Sequence, residues 1–176
     1  ARRRLRSRVM ADILLITGLS GAGRSGAAGV LEDLGWYVID NLPTSLVDTI
    51  VELVSKPGSD IDKLALVAGR QHVELLPKVA ALRAGGHRVR LLFLDASTGA
   101  LVKRYDATRR KHPLDGEAAG LVEAIELERE MLQPVRSAAD LVIDTTELNV
   151  HQLKSKLVAA FDQAGEDHRL QIAVES

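Results

Sequence analysis

The octapeptide Gly18-Leu19-Ser20-Gly21-Ala22-Gly23-Arg24-Ser25 constrains this chain more than any other feature. It lies between the apolar run Ile13-Leu14-Leu15-Ile16 and a segment with helical spacing. Gly18, Gly23 and Ser25 fit the Walker A pattern G-x-x-x-x-G-K-[ST], which joins a strand to a helix. Glycines at these places let the backbone adopt positive φ and approach a phosphate closely. Backbone N–H groups then converge on the anion, and the following helix adds its positive end. Residues Gly18, Leu19, Ser20, Gly21, Ala22, Gly23, Arg24 and Ser25 are therefore the candidate phosphate-binding set. Ser25 is the candidate Mg²⁺ ligand. Arg24 stands where lysine is usual. It keeps the charge but presents a planar fork instead of a compact ammonium, so phosphate binding is expected to outlast fast turnover. The competing reading, a tight strand-to-helix turn without ligand, explains neither the full spacing nor its context.

The rest of the chain repeats the strand-to-helix alternation. Strands are expected at residues 13–16, 36–40, 64–68, 89–94 and 141–144. Helices are expected at about 24–34, from Pro43 to about 55, at 72–84, from about 98 towards Pro113, at 117–138 and at 150–164. Asn41-Leu42-Pro43 reads as a turn. Unbroken apolar strands are covered on both faces, and helical crossovers place them parallel. The expected class is an α/β three-layer sandwich with a five-stranded, mainly parallel sheet, P-loop NTPase or kinase-like.

A length of 176 residues suits one such domain. With 3% aromatics, the core must be built from Leu, Val, Ile and Ala. The net charge of −1 points to no polyanionic partner. The absence of cysteine excludes disulfides, thiolate metal sites and cysteine nucleophiles, and fits a cytoplasmic location. No apolar run approaches the roughly 18 residues of a membrane span. Five arginines in the first eight residues followed by an apolar stretch mimic a signal peptide, but cleavage there would remove the glycine loop. Residues 1–10 read as a basic tail and 11–166 as the domain. Residues 167–176 read as the start of a further domain, with Leu170–Val174 alternating like its first strand.

Three carboxylates follow apolar strands: Asp40, Asp95 and Asp144. In open parallel sheets ligands lie beyond the carboxyl ends of the strands. Asp40, beside Asn41, is the candidate with a functional role. Asp95 divides evenly between metal contact and helix cap, and Asp144 reads as a cap. A cationic stretch of Arg104, Arg109, Arg110 and Lys111 ends at Pro113. Arg109 and Arg110 are candidate lid arginines for a triphosphate. The competing reading has this face paired with Glu117, Glu123 and Glu126. The five histidines show no ligand spacing.

Four stretches together resemble one family: G-L-S-G-A-G-R-S, L-E-D-L-G-W-Y-V-I-D-N-L-P, K-R-Y-D-A-T-R-R-K-H-P-L and E-R-E-M-L-Q-P-V-R-S-A-A-D-L-V-I-D-T. Across about residues 11–164 the chain is similar to the nucleotide-binding proteins of the RNase adapter RapZ type (YvcJ-like). The resemblance implies an ATP- and GTP-binding P-loop domain with weak NTPase activity. It also implies that an RNA or protein partner is reached only through a C-terminal domain. In the family an Asp-x-Arg motif follows the third strand. Here Gly69, Arg70, Gln71 and His72 are the corresponding nucleotide contacts, and the aspartate is absent. Two alternatives stand beside this reading: a small-molecule kinase with Asp40 as base, and a nucleic-acid adapter using the basic tail. A homo-oligomer is left open.

Overall fold

The computed structural model describes residues 10–69 and 74–173, with side chains in the last helix as far as Phe161. The basic residues 1–9, Arg70, Gln71 and His72, and Val174 of the expected tail strand lie outside the described residues.

The central strand is β1, Asp12–Gly18. Its register pairs Ile16 with Val67 on one side and with Leu92 on the other. The neighbours are β3, Lys63–Ala68, and β4, Arg88–Asp95. The edges are β2, Tyr37–Leu42, and β5, Leu141–Asp144. The order is β2-β3-β1-β4-β5 and every pairing is parallel. The five-stranded α/β class expected from the sequence is thus borne out. Ile13, Leu14, Leu15 and Ile16 are buried with Leu64, Leu66, Leu91 and Leu92. Each such side chain contributes about 1.5–3 kcal/mol by leaving water.

Among the described residues six helices connect and cover the sheet: α1 Arg24–Asp33, α2 Val47–Val54, α3 Leu75–Ala84, α4 Thr98–Thr108, α5 Leu121–Ala138 and α6 Val150–Ala173. One layer pairs α1 with α6, and the other runs α2, α3, α5 and α4. The helices leaving β1 and β3 therefore belong to different layers. That divergence opens a crevice between the ends of these adjacent strands, the switch point where ligands of open α/β sheets bind.

Several expected boundaries are corrected. Asn41 and Leu42 are not a turn but the end of β2. A register shift after Ile39 lets Leu42 pair with Ala68, and Asn41 takes a left-handed φ of 54°. Pro43 caps a 3-10 turn, Thr44–Leu46, ahead of α2. The cationic stretch is not one helix. It ends at Thr108, because Arg109 adopts φ 52° and closes α4 with a left-handed cap. The helix expected from Glu117 starts at Leu121. Leu170–Ala173 continue α6 and do not form a strand. Among the described residues they pair with no sheet edge, and a helix satisfies its backbone groups from within the segment.

Candidate phosphate-binding site

Residues 18–25 turn the chain from the C-terminal end of β1 into α1. Gly18 has φ 149°, and a Cβ there would sit 2.2 Å from the Leu94 carbonyl oxygen, so no other residue fits beside β4. Gly21 (φ 87°) and Gly23 (φ 104°) take the left-handed turns of the loop. Leu19 and Ala22 are fully buried anchors. The Leu19 N–H donates to the Leu94 carbonyl at 3.1 Å, and the Ala22 N–H to the Leu19 carbonyl at 3.0 Å. Gly23 is the N-cap of α1 and no side chain caps that helix. The N–H groups of its first turn therefore have neither a helical carbonyl nor a side-chain acceptor. Such a row of free N–H groups suits an anion, with Arg24 and Ser25 as the first two helical residues.

Four elements brace the loop. Arg24 Nη1 donates to the Ala68 carbonyl at 3.0 Å, across the crevice to the end of β3. Thr145, just after β5, places its hydroxyl 2.8 Å from the Ala22 carbonyl. Arg104 on α4 donates to the Gly21 carbonyl and to the Thr145 hydroxyl, each at 3.1 Å. Glu128 on α5 accepts from the Ser20 N–H at 3.0 Å and from the Ser20 hydroxyl at 2.7 Å.

Tyr105 marks where the charged groups converge. Burial pushes its hydroxyl pKa up, and the neighbouring Glu128 charge adds to this. A hydrogen bond with the Ser20 side chain and the charges of Arg24 and Arg110 pull the other way. Arg109 and Arg110 are exposed, and their side chains make no hydrogen bond or ion pair among the described residues. The alternative pairing of these arginines with Glu117, Glu123 and Glu126 does not form among the described residues. Glu123 accepts from the Ala119 N–H, and Glu126 faces Arg129 at 3.7 Å.

The strand-end carboxylates separate by partner. Asp95 is occupied by Arg129 (2.9 Å) and Arg136 (2.8 Å), so neither a metal contact nor a helix cap describes it. Ser97 caps α4 instead. Asp144 accepts from the Thr146 hydroxyl and N–H, which hold its carboxyl below the usual range, as a turn-stabilising residue should be. Asp40 is exposed and accepts only from the adjacent Asn41 N–H among the described residues. Gly69 approaches the β2 end, with its Cβ position 3.3 Å from the Leu42 carbonyl. No group of three or more His, Cys, Asp or Glu suited to a metal exists among the described residues. A Mg²⁺ carried on a nucleotide would find the Ser25 hydroxyl as its protein oxygen, with phosphates and water completing its shell.

Sequence reading did not single out Glu128, His112, Tyr105 or Thr145. One signal was available for Glu128. It occupies the helical stripe Ile125, Glu128, Leu132, Val135, a charge at a core position.

Sheet order, glycine loop and open helix start define an α/β fold of the P-loop NTPase or kinase-like class. The structure is similar to shikimate kinase of Acinetobacter baumannii, with TM-score 0.60, 15% identity, 89% of this chain and 96% of that one covered. It is also similar to a gluconokinase of Sinorhizobium meliloti, with TM-score 0.58, 16% identity and coverage of 94% and 99%. At such identities the likeness concerns the fold. Residues 11–165 match the RapZ-like N-terminal domain, and the chain belongs to that family. It is 50% identical over 158 residues to a nucleotide-binding protein of Frankia alni, covering 88% of this chain and 54% of the relative. To a nucleotide-binding protein of Streptomyces coelicolor it is 46% identical over 154 residues, covering 85% and 51%. The chain thus spans about half the length of these relatives. No helix among the described residues is long and apolar enough to cross a membrane.

Proposed function

We propose that this chain binds ATP or GTP, with Mg²⁺ riding on the phosphates and touching Ser25, and acts as a nucleotide-responsive regulatory domain with slow hydrolysis. The uncapped start of α1 behind Gly23 carries this reading, because it leaves a row of N–H donors aimed at one anion. Arg24 and Arg110 supply the cations that a polyphosphate needs, and Arg109 extends that segment. Gly69, Arg70, Gln71 and His72 remain the proposed contacts beyond β3. Slow turnover follows from two features. Arg24 is tethered to Ala68, and β3 ends in Ala68-Gly69 without the carboxylate that usually helps to hold the metal. An RNA or protein partner would be engaged by the part of the relatives that this chain does not span. The protein would then work in the cytoplasm.

Calorimetric titration of ATP and of GTP with Mg²⁺, paired with a phosphate-release assay, tests this. The expected result is binding of at least one nucleotide with turnover far below the roughly 1–100 s⁻¹ of kinases. Absence of binding by both nucleotides overturns the proposal. A second reading, a small-molecule kinase with Asp40 as base, draws on the fold and on the exposed Asp40 carboxylate at the strand end. Fast turnover only on adding an alcohol acceptor would select it.

A further inference from the structure

We propose that Glu128 is a positioning residue of the phosphate loop: held by His112, it fixes Ser20 and fastens the segment Arg109–Lys111 to the loop as one unit. The inference rests on the nucleotide-binding reading above and goes beyond it.

The observations begin with burial. Glu128 is 6% exposed and the His112 side chain is fully buried. A buried carboxylate is tolerated only where donors replace its water. Both oxygens are served: Oε1 by the Ser20 hydroxyl at 2.7 Å, and Oε2 by the Ser20 N–H at 3.0 Å and His112 Nε2 at 3.1 Å. The Leu114 N–H donates to His112 Nδ1 at 3.1 Å. Nδ1 is therefore the acceptor, and the ring proton sits on Nε2, aimed at Glu128. The Tyr105 ring packs against His112 at 5.3 Å between centroids.

A leucine at position 128 would complete the apolar stripe of α5 without any desolvation cost. What the acid adds is direction: two hydrogen bonds that hold Ser20 in one orientation, and a third that ties the carboxylate to His112. Two consequences follow. The Ser20 N–H is committed to Glu128, so phosphate is left to the later N–H groups of the loop and α1. And the chain has only Arg110 and Lys111 between Arg109, the left-handed end of α4, and the anchored His112. That short span limits how far Arg110 can stray from the anchored His112. Preorganised cations and N–H groups bind an anion without the cost of ordering them on arrival.

The test compares Glu128→Gln, His112→Ala and His112→Gln in the whole chain. It measures the Kd of whichever of ATP and GTP the parent chain binds more tightly, alongside Tm. Glu128→Gln and His112→Ala are expected to weaken binding at least tenfold. His112→Gln keeps an N–H donor towards Glu128 and is expected to return within threefold of the parent. Should Glu128→Gln fail to fold, the two His112 variants decide the matter. Parent-like affinity in Glu128→Gln and His112→Ala overturns the inference. So does a loss that tracks Tm and is not rescued by His112→Gln, since that marks a packing role alone. If the parent chain binds neither nucleotide, the functional reading itself falls and this inference falls with it. That result is distinct from variants that match a binding parent.

Discussion

Arg24 Nη1 donates to the Ala68 carbonyl oxygen at 3.0 Å, joining the first residue of α1 to the last residue of β3. The cation of the loop is thereby held against a neighbouring strand, and part of its fork is not directed at phosphate. Arg24→Lys replaces the fork with an ammonium on a flexible stem. Phosphate release from ATP is expected to rise several-fold. Unchanged or lower release would show that Arg24 does not limit turnover.

Gly18 is the position where the loop tolerates least. Gly18→Ala would drive a Cβ to 2.2 Å from the Leu94 carbonyl in a backbone conformation that side chains rarely adopt. A loss of about 3 kcal/mol or more is expected in denaturant unfolding. Gly29, in α1 with open space around it, is the control. Gly29→Ala is expected to add roughly 0.5–1 kcal/mol. Equal effects of the two would contradict the geometry.

Thr145→Val keeps the shape but removes the hydroxyl that serves the Ala22 carbonyl and accepts from Arg104. The buried Ala22 carbonyl loses its donor, and half-buried Arg104 loses one of its acceptors. Stability is expected to fall by about 1–3 kcal/mol, and nucleotide affinity should fall with it because the loop loses a brace. Parent-like melting and titration curves for Thr145→Val would remove Thr145 from the site.

Asp144 provides a pH test. Its carboxyl pKa is lowered in the folded state, first by the Thr146 hydroxyl and then by the Thr146 N–H. A depressed carboxylate contributes stability above its unfolded pKa of about 3.9 and loses that contribution as pH falls through the folded value. Asp144→Asn should therefore lower Tm at pH 7, and the gap to the parent should close as pH falls well below about 4. A gap that stays constant from neutral pH down to about pH 3 would mean that the charge is not what Thr146 stabilises.

Much of this was readable in one dimension. The glycine loop, β1 and α1 follow from spacing within a dozen residues. Sheet class follows from unbroken apolar runs alternating with helices. The errors fall where local pattern and tertiary context diverge. Asn41-Leu42 has turn chemistry, yet Leu42 is captured by Ala68 across the sheet. Arg109 sits in a helical-looking cationic run, yet its left-handed φ ends the helix and turns the chain towards His112. Asp95 has the placement of a metal ligand, but Arg129 and Arg136 reach it from α5, more than thirty residues on.

The sequence by itself determined that a glycine loop closes the first strand of a parallel α/β sheet, because glycine spacing and apolar runs act through neighbouring residues. Only the tertiary structure decided how that loop is held. Ser20 and Glu128 are 108 residues apart in the chain, as distant as two residues of unrelated segments. A carboxylate at a core position has meaning only once the fold shows which donors surround it. Arg24 shows both halves: its identity, read from the sequence, suggested slow turnover, and its bond to Ala68 gave that expectation a physical cause.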